Sequence, residues 1–267
     1  MLSEISSSDN AKIKLLRKLS TRKGRREEGL FAAEGINLVC EMIDEGQMIE
    51  FIMISEDFDA GKDERHSMVH DHLTGEGFTA YKLSRNLFDK LTDAEHGVDI
   101  LAVCRMEQHG LELIDQLDDS SCVLVCDRVQ DPGNIGTMIR TAVAAGYGAV
   151  VMMPGTVDVY SPKVLRSTAG MVFAIPIAYA KDEDELFSAM KRSGRRVVVT
   201  DPAGGRAYYE ENLSDGIALV IGNEGAGVSD SIKKRADVRV TLPMKGSIES
   251  LNAAVAAAVL MYEAIRI

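Results

Sequence analysis

Apolar positions along the first 106 residues switch between helical and extended spacing. Ile13, Leu16 and Leu19 recur on one side of a basic segment, which predicts an amphipathic helix over Asn10–Leu19. Ser20–Glu28 carries too little apolar residue to hold a core face and reads as a charged loop. Phe31–Gly35 leads into a second helix, Ile36–Glu45. A strand follows at Phe51–Ser55, a helix at Asp63–Leu73 and a strand at Phe78–Leu83. Ser84–Leu91 reads as a short helix with Ser84 as N-cap, and Asp99–Met106 as an apolar strand. Helices and strands alternating over this length predict a small α/β sandwich.

Glu107–Ser121 is acidic and polar and makes the best boundary, so the expected organisation is a domain over 1–106, a linker over 107–120 and a second domain over 121–267. Six apolar runs predict strands in that second part: Cys122–Cys126, Ala149–Met153, Phe173–Ile177, Arg196–Thr200, Ile217–Ile221 and Val238–Leu242. Most are β-branched with little alternation, as suits parallel strands covered on both faces. Helices are expected near Asn134–Ala145, Ser161–Ser167, Asp182–Ser193 and Ser229–Arg235. A last helix, Ile248–Ile265, contains an uncharged stretch over Ala253–Tyr262 whose alanines suit close packing on a sheet or a second subunit.

Three loops after strands are marked by glycine and asparagine. The first, Asp131-Pro132-Gly133-Asn134-Ile135-Gly136, has turn chemistry and opens a helix on which Ile135, Met138, Ile139 and Ala142 share a face and Gly146 stands at the C-terminal cap. Arg140 on that helix lies beside Thr137, Thr141 and Ala144, small residues that let another backbone approach. The second loop is Ile221-Gly222-Asn223-Glu224-Gly225-Ala226-Gly227. The third is Leu242-Pro243-Met244-Lys245-Gly246, running into Ser250-Leu251-Asn252. Strand–loop–helix units of this kind place their loops at the ligand crevice of an open α/β sheet. Because the glycines are not spaced GxGxxG after the first strand, a dinucleotide enzyme is disfavoured.

Charge changes the picture more than composition does. The net charge of −11 is unevenly spread. Lys12, Lys14, Arg17, Lys18, Arg22, Lys23, Arg25 and Arg26 form an arm without an acid among them, on a body more acidic than the total. Such an arm is suited to phosphate contact despite the overall sign. Cys40, Cys104, Cys122 and Cys126 lack CxxC spacing and read as reduced core thiols, so no metal is expected from them. His66, His70 and His72 look like a solvated helix face and not a ligand set. No histidine follows His109, so chemistry in the second half must work without an imidazole from that half. No apolar run is long enough to span a membrane, and Met1–Ile5 lacks a signal-peptide layout; the expectation is a cytoplasmic protein with no membrane partner.

The three loops together, in this order and spacing, resemble the motifs of the SpoU family, RNA ribose 2′-O-methyltransferases of the α/β-knot (SPOUT) superfamily. The resemblance runs from about Cys122 to Glu263 and includes the basic, serine-rich segment Tyr160–Gly170. Asn10, Lys14, Leu19, Arg26, Phe31, Glu34 and Gly35 resemble, more sparsely, the ribosomal-protein-like RNA-binding domain that many members carry.

That resemblance implies a parallel-sheet domain closed by a deep trefoil knot, one of the rare exceptions to unknotted chain paths. It implies S-adenosylmethionine as cofactor, held largely by backbone at Gly222, Leu242, Met244 and Leu251, with Thr200 at the preceding strand end. Arg140 matches the proposed catalytic arginine. A guanidinium is a poor base, so binding of a flanking phosphate and stabilisation of the developing alkoxide are favoured over deprotonation. Asn134, Glu224, Ser250 and Asn252 match the polar residues that position Arg140 and the ribose. Lys163 and Arg166, with Arg22, Lys23, Arg25 and Arg26 of the arm, are the candidate RNA contacts. The implied partners are ribosomal RNA and a second copy of the chain, with no metal. Transfer RNA as substrate, and a non-catalytic RNA-binding or ribosome-assembly role, are the alternatives.

Overall fold

A computed structural model of the chain describes residues 2–75, 78–92, 97–202, 204–246 and 250–266. It divides into two compact units, Met1–Met106 with Asp158–Phe173, and Glu107–Val157 with Ala174–Ile267.

The first unit carries β1 (Leu2–Ile5), α1 (Ala11–Leu19), α2 (Arg22–Glu28), β2 (Leu30–Glu34), α3 (Ile36–Asp44), β3 (Ile49–Ser55), α4 (Glu64–Thr74), β4 (Ala80–Leu83), α5 (Arg85–Asp89) and β5 (Ile100–Arg105). Its sheet runs β1-β4-β3-β5-β2, parallel from β1 to β3 and antiparallel where β5 meets β3 and β2. Ile13, Leu16 and Leu19, spaced as the sequence predicts, pack on Phe51, Met53, Phe88 and Val103. The charged loop expected at Ser20–Glu28 is instead a helix. Thr21 caps it by accepting from the Gly24 N–H, and Gly24 lies so close to the Lys18 carbonyl that a Cβ there would sit 1.9 Å from its oxygen. The solvated face expected of the histidines also fails for His66. It is buried, with Nδ1 2.7 Å from Asp63 Oδ1 and Nε2 3.2 Å from Asp99 Oδ2.

The second sheet follows the expected pattern of buried parallel strands. Its chain order is β6 (Val123–Asp127), α6 (Pro132–Ala144), β7 (Ala149–Met152), α7 (Pro162–Thr168), β8 (Ile177–Tyr179), α8 (Glu183–Arg192), β9 (Arg196–Thr200), β10 (Arg206–Ala207), β11 (Ile217–Gly222), α9 (Asp230–Arg235), β12 (Val238–Thr241) and α10 (Ala253–Ala264). Strands are ordered β10-β12-β9-β11-β6-β7-β8, and every pairing is parallel. β6, β7 and β11 are buried throughout, which is why they read as continuous apolar runs.

Three further departures from expectation have local causes. Phe173 belongs to a 3₁₀ turn, and the strand begins at Ile177, after Pro176, which has no N–H to give to a ladder. The stretch expected as a linker holds a 3₁₀ helix, Leu111–Gln116, whose Leu111 and Ile114 are buried in the core of the second unit. Asp158–Phe173, α7 included, packs within the first unit, where Tyr160 and Phe173 lie 4.6 and 6.0 Å from the Phe31 ring. His96 and the expected start of the last helix, Ile248, lie outside the described residues.

Candidate active site

In an all-parallel sheet the carboxyl ends of neighbouring strands share one edge. Here β12, β9, β11 and β6 are adjacent, so the segments leaving Thr241, Thr200, Gly222 and Asp127 converge. Those leaving Thr241, Thr200 and Gly222 line an open cavity of about 740 Å³, solvent at its mouth included. Thr200, Gly222, Leu242, Met244 and Leu251 all line it, as do Asp201, Ile221, Glu224 and Ser250. Apolar residues such as Ile221, Leu242 and Met244 and polar ones such as Asp201 and Glu224 share its wall, a mixed surface that suits a nucleoside with an aliphatic tail.

Gly222 is required by close approach. A Cβ on it would lie 2.1 Å from both the Gly227 carbonyl carbon and the Val228 nitrogen. The contact arises because the loop folds back on itself. Asn223 N–H donates to the Gly227 carbonyl at 3.1 Å, and Gly227 N–H returns a bond to the Asn223 carbonyl at 2.9 Å. Inside it, Asn223 Oδ1 accepts from the N–H groups of Gly225 and Ala226, both at 3.0 Å.

α6 starts beside this loop. Asp131 is its N-cap, accepting from Asn134 N–H at 2.8 Å, with Pro132 in the first turn. It ends where Gly146, at φ +70°, donates to Val143 while Tyr147 donates to Ala142, a Schellman closure. Asn134 is buried and joins two other motif residues. Its Nδ2 donates to Glu224 Oε1 at 2.9 Å, and its Oδ1 accepts from Asn252 Nδ2 at 2.9 Å. Asn252 Oδ1 in turn caps α10 through the N–H groups of Ala254 and Val255. The Glu224 carboxylate also accepts from the N–H groups of Asp131 and Gln130, at 3.0 and 3.2 Å. Partial burial opposes its charge, but the bonds from Asn134, Asp131 and Gln130 outweigh that and hold its pKa below the ordinary glutamate value.

Asn134, Glu224 and Asn252 are thus one connected group, and Ser250 lines the adjoining cavity. Arg140, two turns into α6, is exposed, and its side chain has no hydrogen bond or ion pair among the described residues. The remaining candidates belong to the first unit. Lys163 is exposed, and Arg166 lies 3.6 Å from Glu34. Arg22, Lys23 and Arg26 are exposed, Lys23 facing Glu27 at 3.7 Å. Arg25, expected among the RNA contacts, is instead buried. Only 3% exposed, it donates through Nε to Asp158 at 3.0 Å and through Nη1 to the Leu19 carbonyl at 2.8 Å, so it is a structural ion pair and not an RNA contact. Gln130, Asn223, Asp127 and Arg128 are parts of the site that motif reading passed over. Asn223 stands in the second glycine-marked loop, whereas nothing local marks Asp127 or Arg128. Among the described residues no group of three or more acidic, histidine or cysteine side chains is arranged to hold a metal ion, and no helix is long and apolar enough to cross a membrane.

Residues 121–262 match the SpoU rRNA Methylase family, and residues 10–102 match the MRM3-like substrate binding domain. The chain belongs to the SpoU methylase family. It is 38% identical over 261 residues to the 23S rRNA (guanosine(2553)-2'-O)-methyltransferase RlmP of Bacillus subtilis, covering 98% of each chain. The 23S rRNA (uridine(2479)-2'-O)-methyltransferase of Streptomyces viridochromogenes is 30% identical, across 93% of this chain and 86% of its own. Among solved structures, the AdoMet-bound rRNA methyltransferase from Sinorhizobium meliloti superposes with a TM-score of 0.86 at 28% identity, covering 98% of this chain and 97% of that one.

Proposed function

We propose that this protein transfers a methyl group from S-adenosylmethionine to a ribose 2′-hydroxyl of ribosomal RNA. The observation that carries the reading is the convergence of the three loops: one cavity takes in Thr200, Gly222, Leu242, Met244 and Leu251, beside the Asn134–Glu224–Asn252 group. The cavity fits the cofactor. Gly222 has room for no side chain, so backbone forms that wall, while Leu242, Met244 and Leu251 offer apolar cover. The names of the similar enzymes from Bacillus subtilis and Streptomyces viridochromogenes support ribosomal RNA as the substrate class.

When bound, S-adenosylmethionine supplies an already activated, electrophilic methyl group. What the protein must add is alignment of the ribose oxygen and help with its proton. Arg140 is free to take an RNA phosphate and to stabilise negative charge growing on that oxygen. Glu224, kept ionised by its amide donors, holds Asn134 and the turn at Asp131, and so fixes the start of the helix that carries Arg140. Lys163, Arg22, Lys23 and Arg26 supply sequence-independent phosphate contacts.

The threaded, knotted chain path goes with this reading, and the meeting of Leu242, Met244 and Leu251 with Gly222 at one cavity of an all-parallel sheet is what supports it. A homodimer does too. Val255, Val259 and Tyr262 are spaced along α10 and exposed by 37–51%, a face that a second copy would cover. A ribosomal RNA substrate and four buried free cysteines support the cytoplasm as its location.

Incubation of the full chain with S-adenosylmethionine carrying a tritiated methyl, and with either ribosomal RNA or transfer RNA, tests the reading. Label in ribosomal RNA that resists alkaline cleavage at one nucleotide is expected. Label only in transfer RNA would redirect the substrate assignment, and cofactor binding without transfer to either would favour a binding role.

A further inference from the structure

Between β6 and α6 the chain passes through Arg128, whose φ of +58° lies in the left-handed region that a side chain disfavours. The other described non-glycine residue there, Ala169, closes α7, an ordinary place for it. Arg128 closes no helix, and it is held by both backbone and side chain. Its N–H donates to Thr156 Oγ1 at 3.1 Å, and its carbonyl accepts from Asn223 Nδ2 at 2.9 Å. Its guanidinium donates to Asp127 Oδ1 at 3.1 Å and to the Gly227 carbonyl at 3.3 Å. Asp127 is itself buried and accepts from Ser229 N–H and Oγ at 2.8 and 2.9 Å. The Asn223–Gly227 loop is therefore gripped at its first residue by the Arg128 carbonyl, at its last by the guanidinium, and just beyond by Asp127. Neither Arg128 nor Asp127 lines the cofactor cavity.

We propose that Arg128 is a positioning residue for methyl transfer: its left-handed backbone and its guanidinium clamp the Asn223–Gly227 loop, holding Gly222 in the cavity wall and Glu224 against Asn134. The inference rests on the methyltransferase reading of the same cavity. The clamp reaches Glu224 because Asn223 Nδ2, bound to the Arg128 carbonyl, also lies 3.4 Å from Glu224 Oε2. The other groups that meet this carboxylate are the N–H groups of Gln130 and Asp131 and the Asn134 amide, none of them titratable.

Arg128→Gly isolates the side chain, since glycine takes this φ freely and keeps the bonds to Thr156 and Asn223. Arg128→Asn, which also tolerates the left-handed region but is too short to reach Gly227, serves as the second variant should glycine prevent folding. Titration with S-adenosylmethionine by calorimetry should show affinity falling about tenfold in the folded variant, the loss of a charge-assisted hydrogen bond at the loop. With Gly227 released from the guanidinium the Asn223–Gly227 loop loosens, Glu224 shifts off its Gln130, Asp131 and Asn134 donors, and the acidic limb of the single-turnover rate should move to higher pH. Affinity within about twofold of wild type overturns the proposal. So does weakened affinity with an unmoved acidic limb, which would give Arg128 a role in loop stability alone. A wild-type chain that does not bind S-adenosylmethionine would overturn the underlying reading and the clamp with it, whereas wild-type binding beside an unaffected variant overturns only the clamp.

Discussion

Replacing Gly222 with alanine tests the geometry of the cavity wall most simply. The added Cβ would lie 2.1 Å from the Gly227 carbonyl carbon and the Val228 nitrogen, both backbone atoms, where ordinary contact needs 3.4 Å. β11 and the returning end of the loop must therefore part by about 1.3 Å, because no flexible side chain can move aside instead. A separation of that size takes the 3.1 Å and 2.9 Å bonds between Asn223 and Gly227 out of range. Overpacking together with loss of these two bonds costs about 2–4 kcal/mol, which lowers the melting temperature of the catalytic unit by about 4–16 °C. Gly225→Ala is the matched control. Its Cβ would meet only Asn223 Oδ1, at 3.7 Å, and its N–H bond is retained, so its melting temperature should be that of wild type. Differential scanning calorimetry of both variants, with and without S-adenosylmethionine, gives the comparison. Gly222→Ala melting with wild type and gaining the same stabilisation from the cofactor would refute the close approach of β11 to Gly227.

The buried pair Arg25–Asp158 and the exposed arm separate stability from RNA affinity. Arg25→Ala leaves a nearly buried carboxylate uncompensated and should cost about 3–5 kcal/mol in urea unfolding of the first unit. Arg22→Ala and Arg26→Ala should leave stability unchanged and each reduce the salt-dependence slope of RNA binding by about one, and a slope that does not change would remove that residue from the interface. The cysteines should resist alkylation in the native protein. Burial pushes the Cys40 thiol up to about 11 and that of Cys126 up to about 12, so little thiolate exists at neutral pH. Rapid reaction of either with a thiol reagent before unfolding would contradict that burial.

The elements that read well from sequence are those where one requirement dominates. β6, β7 and β11 are buried on both faces and appear as unbroken apolar runs, and α6 carries helical apolar spacing and its terminal Gly146 as local signals, although it starts at Pro132, two residues before the expected Asn134. α2 did not read as a helix because it has almost no apolar residue. Its case rests on the Thr21 cap, and its Gly24, a helix breaker by propensity, is needed where the turn passes the Lys18 carbonyl. The acidic stretch before β6 hid Leu111 and Ile114, two core residues among polar ones. At the site, Asn134, Glu224 and Asn252 could be named from their motifs, but not that Asn134 stands between the other two. Arg25 read as one more cation of the arm, since its partner Asp158 is 133 residues away. Arg128 gave no sign at all, because its conformation depends on Thr156, Asn223 and Gly227, which are remote in sequence.

The central claim is that the cavity binds the methyl donor while Arg140, outside its lining, acts on the RNA. Arg140→Ala in the full chain, compared with wild type for S-adenosylmethionine affinity and for single-turnover methyl transfer to ribosomal RNA, tests it directly. Arg140 is exposed and unpartnered among the described residues, so the variant should fold and bind the cofactor as wild type does, while transfer falls by about two to three orders of magnitude. Transfer at the wild-type rate with cofactor binding intact would contradict the account.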